Sequence, residues 1–157
     1  MKQKFVDYFM GVAEQTATLS YATRLQVGCV IVKDNRILSI GYNGTPSGWD
    51  NCCEYTIDDG MGYDTGKTKP EVLHAESNAL MKLCQSHESS KDATVFITHA
   101  PCIDCAKLLH QAGISEIIYK HEYRSRDGIV FLEKCGVKIW EYQEIGSTVQ
   151  TAMRSSA

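Results

Sequence analysis

The amino-acid sequence predicts an α/β protein, a three-layer α/β/α domain around a mixed sheet of about five strands. Two β-branched runs flank the sequence Lys-Asp-Asn at 33–35, and this arrangement predicts an antiparallel hairpin. After the hairpin, short apolar runs alternate with segments of helical period, which is typical of parallel strands joined by crossover helices. The chain has 157 residues, 43% of them hydrophobic, and this length and composition suit one domain with one core.

The first part of the chain is predicted to be a helix followed by the hairpin. Residues 2–18 carry apolar side chains at helical spacing. The hairpin strands follow at Val27–Val32 and Arg36–Tyr42, and the first is almost continuously apolar, so we expect it to be buried on both faces. The stretch from Trp49 to Glu71 is polar, and its apolar residues follow neither helical nor strand spacing. We expect this loop to cover part of the functional site or to form a subunit contact.

The second half of the chain alternates between helix and strand. The predicted elements are a helix at Val72–Cys84, a strand at Thr94–Thr98, a helix from Pro101 to Gly113, a strand at Glu116–Tyr119, a helix at 126–135 and a strand at Val137–Trp140. Residues 1–145 are therefore expected to form a single domain. Residues 146–157 lack a core pattern and are expected to be a flexible tail.

Charge and cysteine content restrict the classes of partner and compartment. A net charge of −3 gives no general attraction to nucleic acid, and no apolar run reaches the roughly 20 residues that span a membrane. The N-terminus lacks the continuous apolar core of a signal peptide. Seven cysteines, an odd number, fit a reducing compartment. We therefore expect a cytoplasmic protein with neither a nucleic-acid nor a membrane partner.

Two short motifs, His-Ala-Glu at 74–76 and Pro-Cys-Ile-Asp-Cys at 101–105, predict a metal site. Cys102 and Cys105 are three residues apart at a predicted helix start, so they lie on one face. His74 also lies near a helix start, and two helix N-termini favour the thiolate form that binds metal. Two thiolates and one imidazole suit zinc, and three protein ligands leave a position for water, as in catalytic zinc sites.

Glu76 is predicted to act beside the metal rather than on it. Two residues of helix rotate a side chain by about 200°, so His74 and Glu76 do not ligate one ion from the same face. A carboxylate beside the metal can take a proton from the bound water. Two alternatives stay open from the residues alone. The two cysteines could form a redox dithiol, or Cys52 or Cys53 could complete a structural zinc site with four protein ligands.

The motif pair is the signature of zinc-dependent deaminases. Residues Val27–Trp140 resemble the cytidine deaminase superfamily. Within them, Gly41–Gly48 (GYNGTPSG), Thr98–Cys102 (THAPC) and Gln111–Ile114 (QAGI) are similar to deoxycytidylate (dCMP) deaminases of phages and bacteria, including the competence-operon type. The resemblance implies a cytidine-deaminase-like fold and the hydrolytic deamination of dCMP to dUMP, a precursor for thymidylate synthesis.

The resemblance also implies a role for each matching residue. His74, Cys102 and Cys105 would hold zinc, and Glu76 would move protons. Asn43 would bind the sugar, and the backbone N–H of Ala75 would bind the base carbonyl. The backbone carbonyl of Ala100 would accept a hydrogen bond from the leaving amine, and Tyr123 would lie near the base and the phosphate. Two of these residues have an alternative role that does not involve the substrate. Asn43 could simply form a turn, and Tyr123 could be a packing residue. A monophosphate needs cationic partners. Arg24, which precedes the first strand, is the first candidate, and the others are Lys67, Lys69, His121, Arg124 and Arg126.

The same resemblance implies partners and regulation. Its members are typically homohexamers, activated by dCTP and inhibited by dTTP with Mg²⁺. Some phage members bind a second zinc through a cysteine before the first strand, and residues 21–24 here contain none, so we expect one zinc per chain. The alternatives to a dCMP deaminase are a tRNA or nucleobase deaminase, which would need a basic surface, and a non-catalytic zinc-binding accessory protein, which would have no use for Glu76.

Overall fold

The predicted alternation of helices and strands is present along the chain. The computed structural model describes residues 1–56 and 66–144. The helices in these residues are α1 (Gln3–Ala17), α2 (Ala75–Cys84), α3 (Ile103–Gln111) and α4 (Asp127–Lys134). The strands are β1 (Gly28–Lys33), β2 (Arg36–Tyr42), β3 (Thr94–His99), β4 (Glu116–His121) and β5 (Lys138–Glu141). The centre of the predicted loop, the domain boundary at 145 and the predicted tail at 146–157 lie outside the described residues.

The five strands form one mixed sheet in the order β2-β1-β3-β4-β5. β1 pairs antiparallel with both β2 and β3, while β3, β4 and β5 run parallel. This confirms the predicted class. The hairpin turn places Asp34 and Asn35 at φ values of 52° and 57°, a left-handed conformation that Asp and Asn tolerate better than most residues.

Two apolar clusters, one on each face of the sheet, make the domain three-layered. Alternate residues of β1 point to opposite faces. Cys29 and Ile31 pack with α2, α3 and α4, whereas Val30 and Val32 pack with α1. All four side chains are buried, which confirms the prediction that the first strand is covered on both faces. Within the described residues, no helix combines the length and apolar character that crossing a membrane requires.

Two helices begin later than the sequence indicated. α2 begins at Ala75 rather than Val72, because Leu73 is held in an extended bridge with Gly44. α3 begins at Ile103, so the expectation that Pro101 occupies the first helical turn is wrong. His74 and Cys102 each occupy the N-cap position in an extended conformation, with ψ of 154° and 168°. Both residues therefore stand where a helix begins.

Candidate active site

Three metal-ligating side chains meet where α2 and α3 begin. His74 precedes α2, Cys102 precedes α3, and Cys105 lies in the first turn of α3. Their ligand atoms all lie within 4.8 Å of one another. His74 Nδ1 is 3.6 Å from the sulfur of Cys102 and 3.4 Å from that of Cys105. His74 thus presents a nitrogen to the same point as the two cysteine sulfurs, which lie 28 and 31 positions later in the chain.

These separations fit a tetrahedral zinc site. Zn–S bonds of about 2.3 Å and Zn–N bonds of about 2.1 Å place a sulfur and a nitrogen about 3.6 Å apart at the tetrahedral angle. No other described histidine, cysteine or acidic residue joins the group. The Cys52 sulfur donates instead to the Glu54 carbonyl oxygen, at 3.2 Å. The described residues therefore give no support to a four-ligand structural site with Cys52 or Cys53.

The two sulfurs are coupled through a hydrogen bond that they share. Hydrogen bonds from Cys105 and then from His74 lower the pKa of Cys102 to about 4, against the opposing effect of burial. The hydrogen bond to Cys102 and burial raise the pKa of Cys105. Cys102 is therefore a thiolate at neutral pH, and it is ready to bind a cation. The N-termini of α2 and α3 favour the same negative charge.

Glu76 lies beside this cluster without belonging to it. Its side chain is 4% exposed, in the first turn of α2. Burial raises its pKa to about 7, while the His74 charge and a hydrogen bond with Cys105 act in the opposite direction. A carboxyl group with this pKa can both accept and release a proton near neutral pH. This is the property that a shuttle of protons between water and a bound substrate requires.

Almost every site residue that the sequence indicated lines a single pocket above the cluster. The pocket wall includes Arg24, Asn43, Ala75, Glu76, Ala100 and Tyr123, together with His74 and Cys102. Cys105 lies behind it, 3% exposed. Of the six cationic candidates for phosphate binding, Arg24 is the one on this wall. The guanidinium of Arg124 stacks on the Tyr123 ring, 5.4 Å from its centroid.

Sequence reasoning missed six residues that line the pocket, namely Leu25, Val27, Glu54, Thr68, Val72 and His99. His99 stands next to Ala100 in the motif THAPC at 98–102, so that motif was a usable signal. Glu54 and Thr68 belong to the predicted loop at 49–71. They face each other in an isolated antiparallel bridge that joins residues 53–56 to 66–69 as a short ribbon. The described ends of the loop therefore cover part of the site.

Gly41 allows α2 to lie directly on β2, and this contact sets the position of His74 and Glu76. A Cβ at Gly41 would overlap the Ala75 carbonyl oxygen and crowd Ala79. We expect Gly41→Ala to destabilise the protein by about 1–3 kcal/mol and to lower its zinc content, because α2 must shift. Thermal unfolding and metal analysis measure both. Gly11→Ala is the control, because a Cβ there meets no atom within 4 Å. Equal stability and zinc content in the two variants would show that the close contact at Gly41 does not set the position of α2.

Comparison with known proteins gives a consistent result. Residues 3–121 match the family model described as the cytidine and deoxycytidylate deaminase zinc-binding region. Deoxycytidylate deaminase of Mycobacterium phage D29 is 36% identical over 74% of this chain and 94% of the relative. That of Saccharomyces cerevisiae is 32% identical over 90% of this chain, which spans 46% of the yeast protein. The crystal structure of dCMP deaminase from cyanophage S-TIM5 with dCMP and dUMP superposes with a TM-score of 0.83, at 43% identity, over 90% of this chain and 99% of the phage chain.

Proposed function

Because this chain belongs to the cytidine and deoxycytidylate deaminase family, we propose that it hydrolyses dCMP to dUMP and ammonia. One observation carries the proposal. The cluster of His74, Cys102 and Cys105 lies at the base of a pocket that also holds the buried carboxyl of Glu76. A redox dithiol would need neither the imidazole nor the carboxyl group. The family and the geometry of the site therefore both favour a zinc site over a redox dithiol.

His74, Cys102 and Cys105 would hold one zinc ion per chain. When bound, zinc supplies Lewis-acid activation of the attacking water, whose pKa it lowers to about 7. These three residues would leave one of the usual four zinc ligands to be supplied by water. Neither Cys52 nor Cys53 lies with a described group that could hold a second ion.

Glu76 is the group that moves protons. It takes a proton from the water that attacks C4 of the cytosine ring, and passes it to N3. It then moves the proton of the new C4 hydroxyl to the amine, so the C4–N bond breaks, ammonia leaves and the C4 carbonyl of uracil forms. Its burial, which raises its pKa to about 7, makes both directions of transfer accessible.

Backbone and side-chain groups would orient the nucleotide. Ala75 is the first residue of α2, so its N–H has no carbonyl partner within the helix and is available to the base carbonyl. Ala100 lines the same pocket, and its carbonyl would accept from the amine. Tyr123 would lie against the base and phosphate. Arg24, on the wall of the pocket, would bind the phosphate.

The proposal predicts a substrate preference that ultraviolet absorbance can measure. The zinc-loaded protein is offered dCMP, deoxycytidine and dCTP separately, and loss of the cytosine band is followed. We expect rapid conversion of dCMP and weak conversion of deoxycytidine, because the nucleoside lacks the phosphate that Arg24 would bind. Turnover of none of the three by protein with confirmed zinc would contradict the proposal.

A tRNA or nucleobase deaminase is the alternative within the family. A net charge of −3 disfavours it, since binding a polynucleotide needs a basic surface. From the resemblance alone we also propose a homohexamer, activation by dCTP and inhibition by dTTP with Mg²⁺. Light scattering and the same absorbance assay with each triphosphate added, with and without Mg²⁺, test these points.

A further inference from the structure

Glu54 is a buried carboxylate in the wall of the pocket. It is 7% exposed and lies on the short ribbon, opposite Thr68. A charged side chain is rarely buried this far unless polar groups compensate for the loss of water. The groups around its two oxygens therefore indicate what the carboxylate is there to bind.

One of the two oxygens is occupied by the protein. Oε1 accepts hydrogen bonds from the backbone N–H groups of Thr23 and Arg24, at 3.0 and 3.2 Å. No group within residues 1–56 and 66–144 donates to Oε2. No buried side-chain oxygen of those residues is left unpaired, so Oε2 is not sealed in and opens to the pocket. An ionised carboxylate only accepts hydrogen bonds, and this oxygen can accept one from a bound ligand.

Asn43, the residue first expected to bind the sugar, has less capacity left. Its Oδ1 accepts from the N–H of Val27 and its Nδ2 donates to the carbonyl of Leu25, both at 2.8 Å. The uncommitted hydrogen on Nδ2 is a donor. A ligand hydroxyl that donates its proton needs an acceptor, and Oε2 of Glu54 is a charged one.

We propose that Glu54 binds the 3′-hydroxyl of the deoxyribose, an inference that rests on dCMP being the substrate. A carboxylate repels a phosphate dianion at close range, so phosphate is not its partner. The Glu54 carboxylate contacts the backbone of Arg24, whose side chain is the proposed phosphate ligand, while Glu76 marks the base end of the pocket. The sugar lies between base and phosphate, and the 3′-hydroxyl is the donor that a deoxyribose 5′-phosphate offers there.

The test compares dCMP with 2′,3′-dideoxycytidine 5′-monophosphate, which lacks only the 3′-hydroxyl. The zinc-loaded wild type is expected to favour dCMP by about 10- to 100-fold in kcat/KM, the range for hydrogen bonds to charged groups. Glu54→Gln keeps a carbonyl oxygen for Thr23 and Arg24 but turns a donor into the pocket. The hydroxyl can accept from that amide, so a weaker, neutral hydrogen bond replaces one to a charged group, and we expect the preference to fall by about five- to tenfold. Glu88→Gln, an exposed residue paired with Arg36, is the control and should keep the wild-type preference.

Each other outcome overturns the assignment in a recognisable way. If Glu54→Gln lowers kcat/KM equally for the two substrates, Glu54 only shapes the turn at 23–24. If the wild type itself shows no preference while converting dCMP, no protein group recognises the 3′-hydroxyl, and the proposed function stands without this contact. If the wild type converts neither substrate, the proposed function fails, and the assignment of Glu54 fails with it.

Discussion

Replacing Glu76 by glutamine is expected to lower kcat for dCMP by about 10²- to 10⁴-fold and to leave zinc bound. Glutamine has nearly the same shape, so the pocket and the cluster behind it are preserved. Its amide neither takes a proton from water nor gives one to a leaving amine. The carboxyl at this position has a pKa of about 7, raised by burial, and that is the property which the amide removes.

Steady-state kinetics and metal analysis of the purified Glu76→Gln variant test this expectation. Glu88→Gln, which changes an exposed carboxylate away from the pocket, should keep the wild-type rate. Glu76→Asp retains a carboxyl group on a shorter side chain and should recover part of the lost activity. Full activity of Glu76→Gln would remove Glu76 from the mechanism. Loss of zinc together with loss of folding would favour the accessory-protein alternative, in which the residue is structural.

The second large effect is expected from Cys102→Ala, which should lower zinc affinity by more than about 100-fold and abolish turnover at limiting zinc. Loss of an outer-shell partner already costs 10- to 100-fold in affinity, and here a ligand itself is removed. Two donors, His74 and Cys105, would remain. The cost to folding should be small, because Cys102 is only partly buried and lies at the N-cap of α3.

Zinc titration against a competing chelator measures the affinity of Cys102→Ala. Cys84→Ala is the matched control, because Cys84 is an exposed free cysteine at the end of α2, outside the cluster. It should bind zinc as the wild type does. In the wild type, removal of zinc by chelation should stop turnover, and addition of zinc should restore it. Stoichiometric, tight zinc binding by Cys102→Ala would contradict the three-ligand assignment.

Much of the fold followed from local patterns in the sequence. The turn at 33–35 specified the hairpin, and helical and apolar periods located every other element to within a few residues. Helix starts were less well predicted. Apolar periodicity extends through Val72 and Leu73, but a bridge between Leu73 and Gly44 holds that segment extended. The bridge joins residues far apart in the chain, and no local pattern reports such a contact.

The sequence by itself determined the chemistry of the site, because imidazole, thiolate and carboxylate at these spacings are a combination that few other sites use. Only the tertiary structure decided which groups surround the substrate. It commits both amide atoms of Asn43 to the backbone and brings Glu54 from a loop without period to the N–H groups of Thr23 and Arg24, some 30 positions earlier. The physical reason is that metal ligands are recognisable by their own chemistry. A hydrogen-bond acceptor acquires its role from which of its lone pairs the folded chain leaves unoccupied.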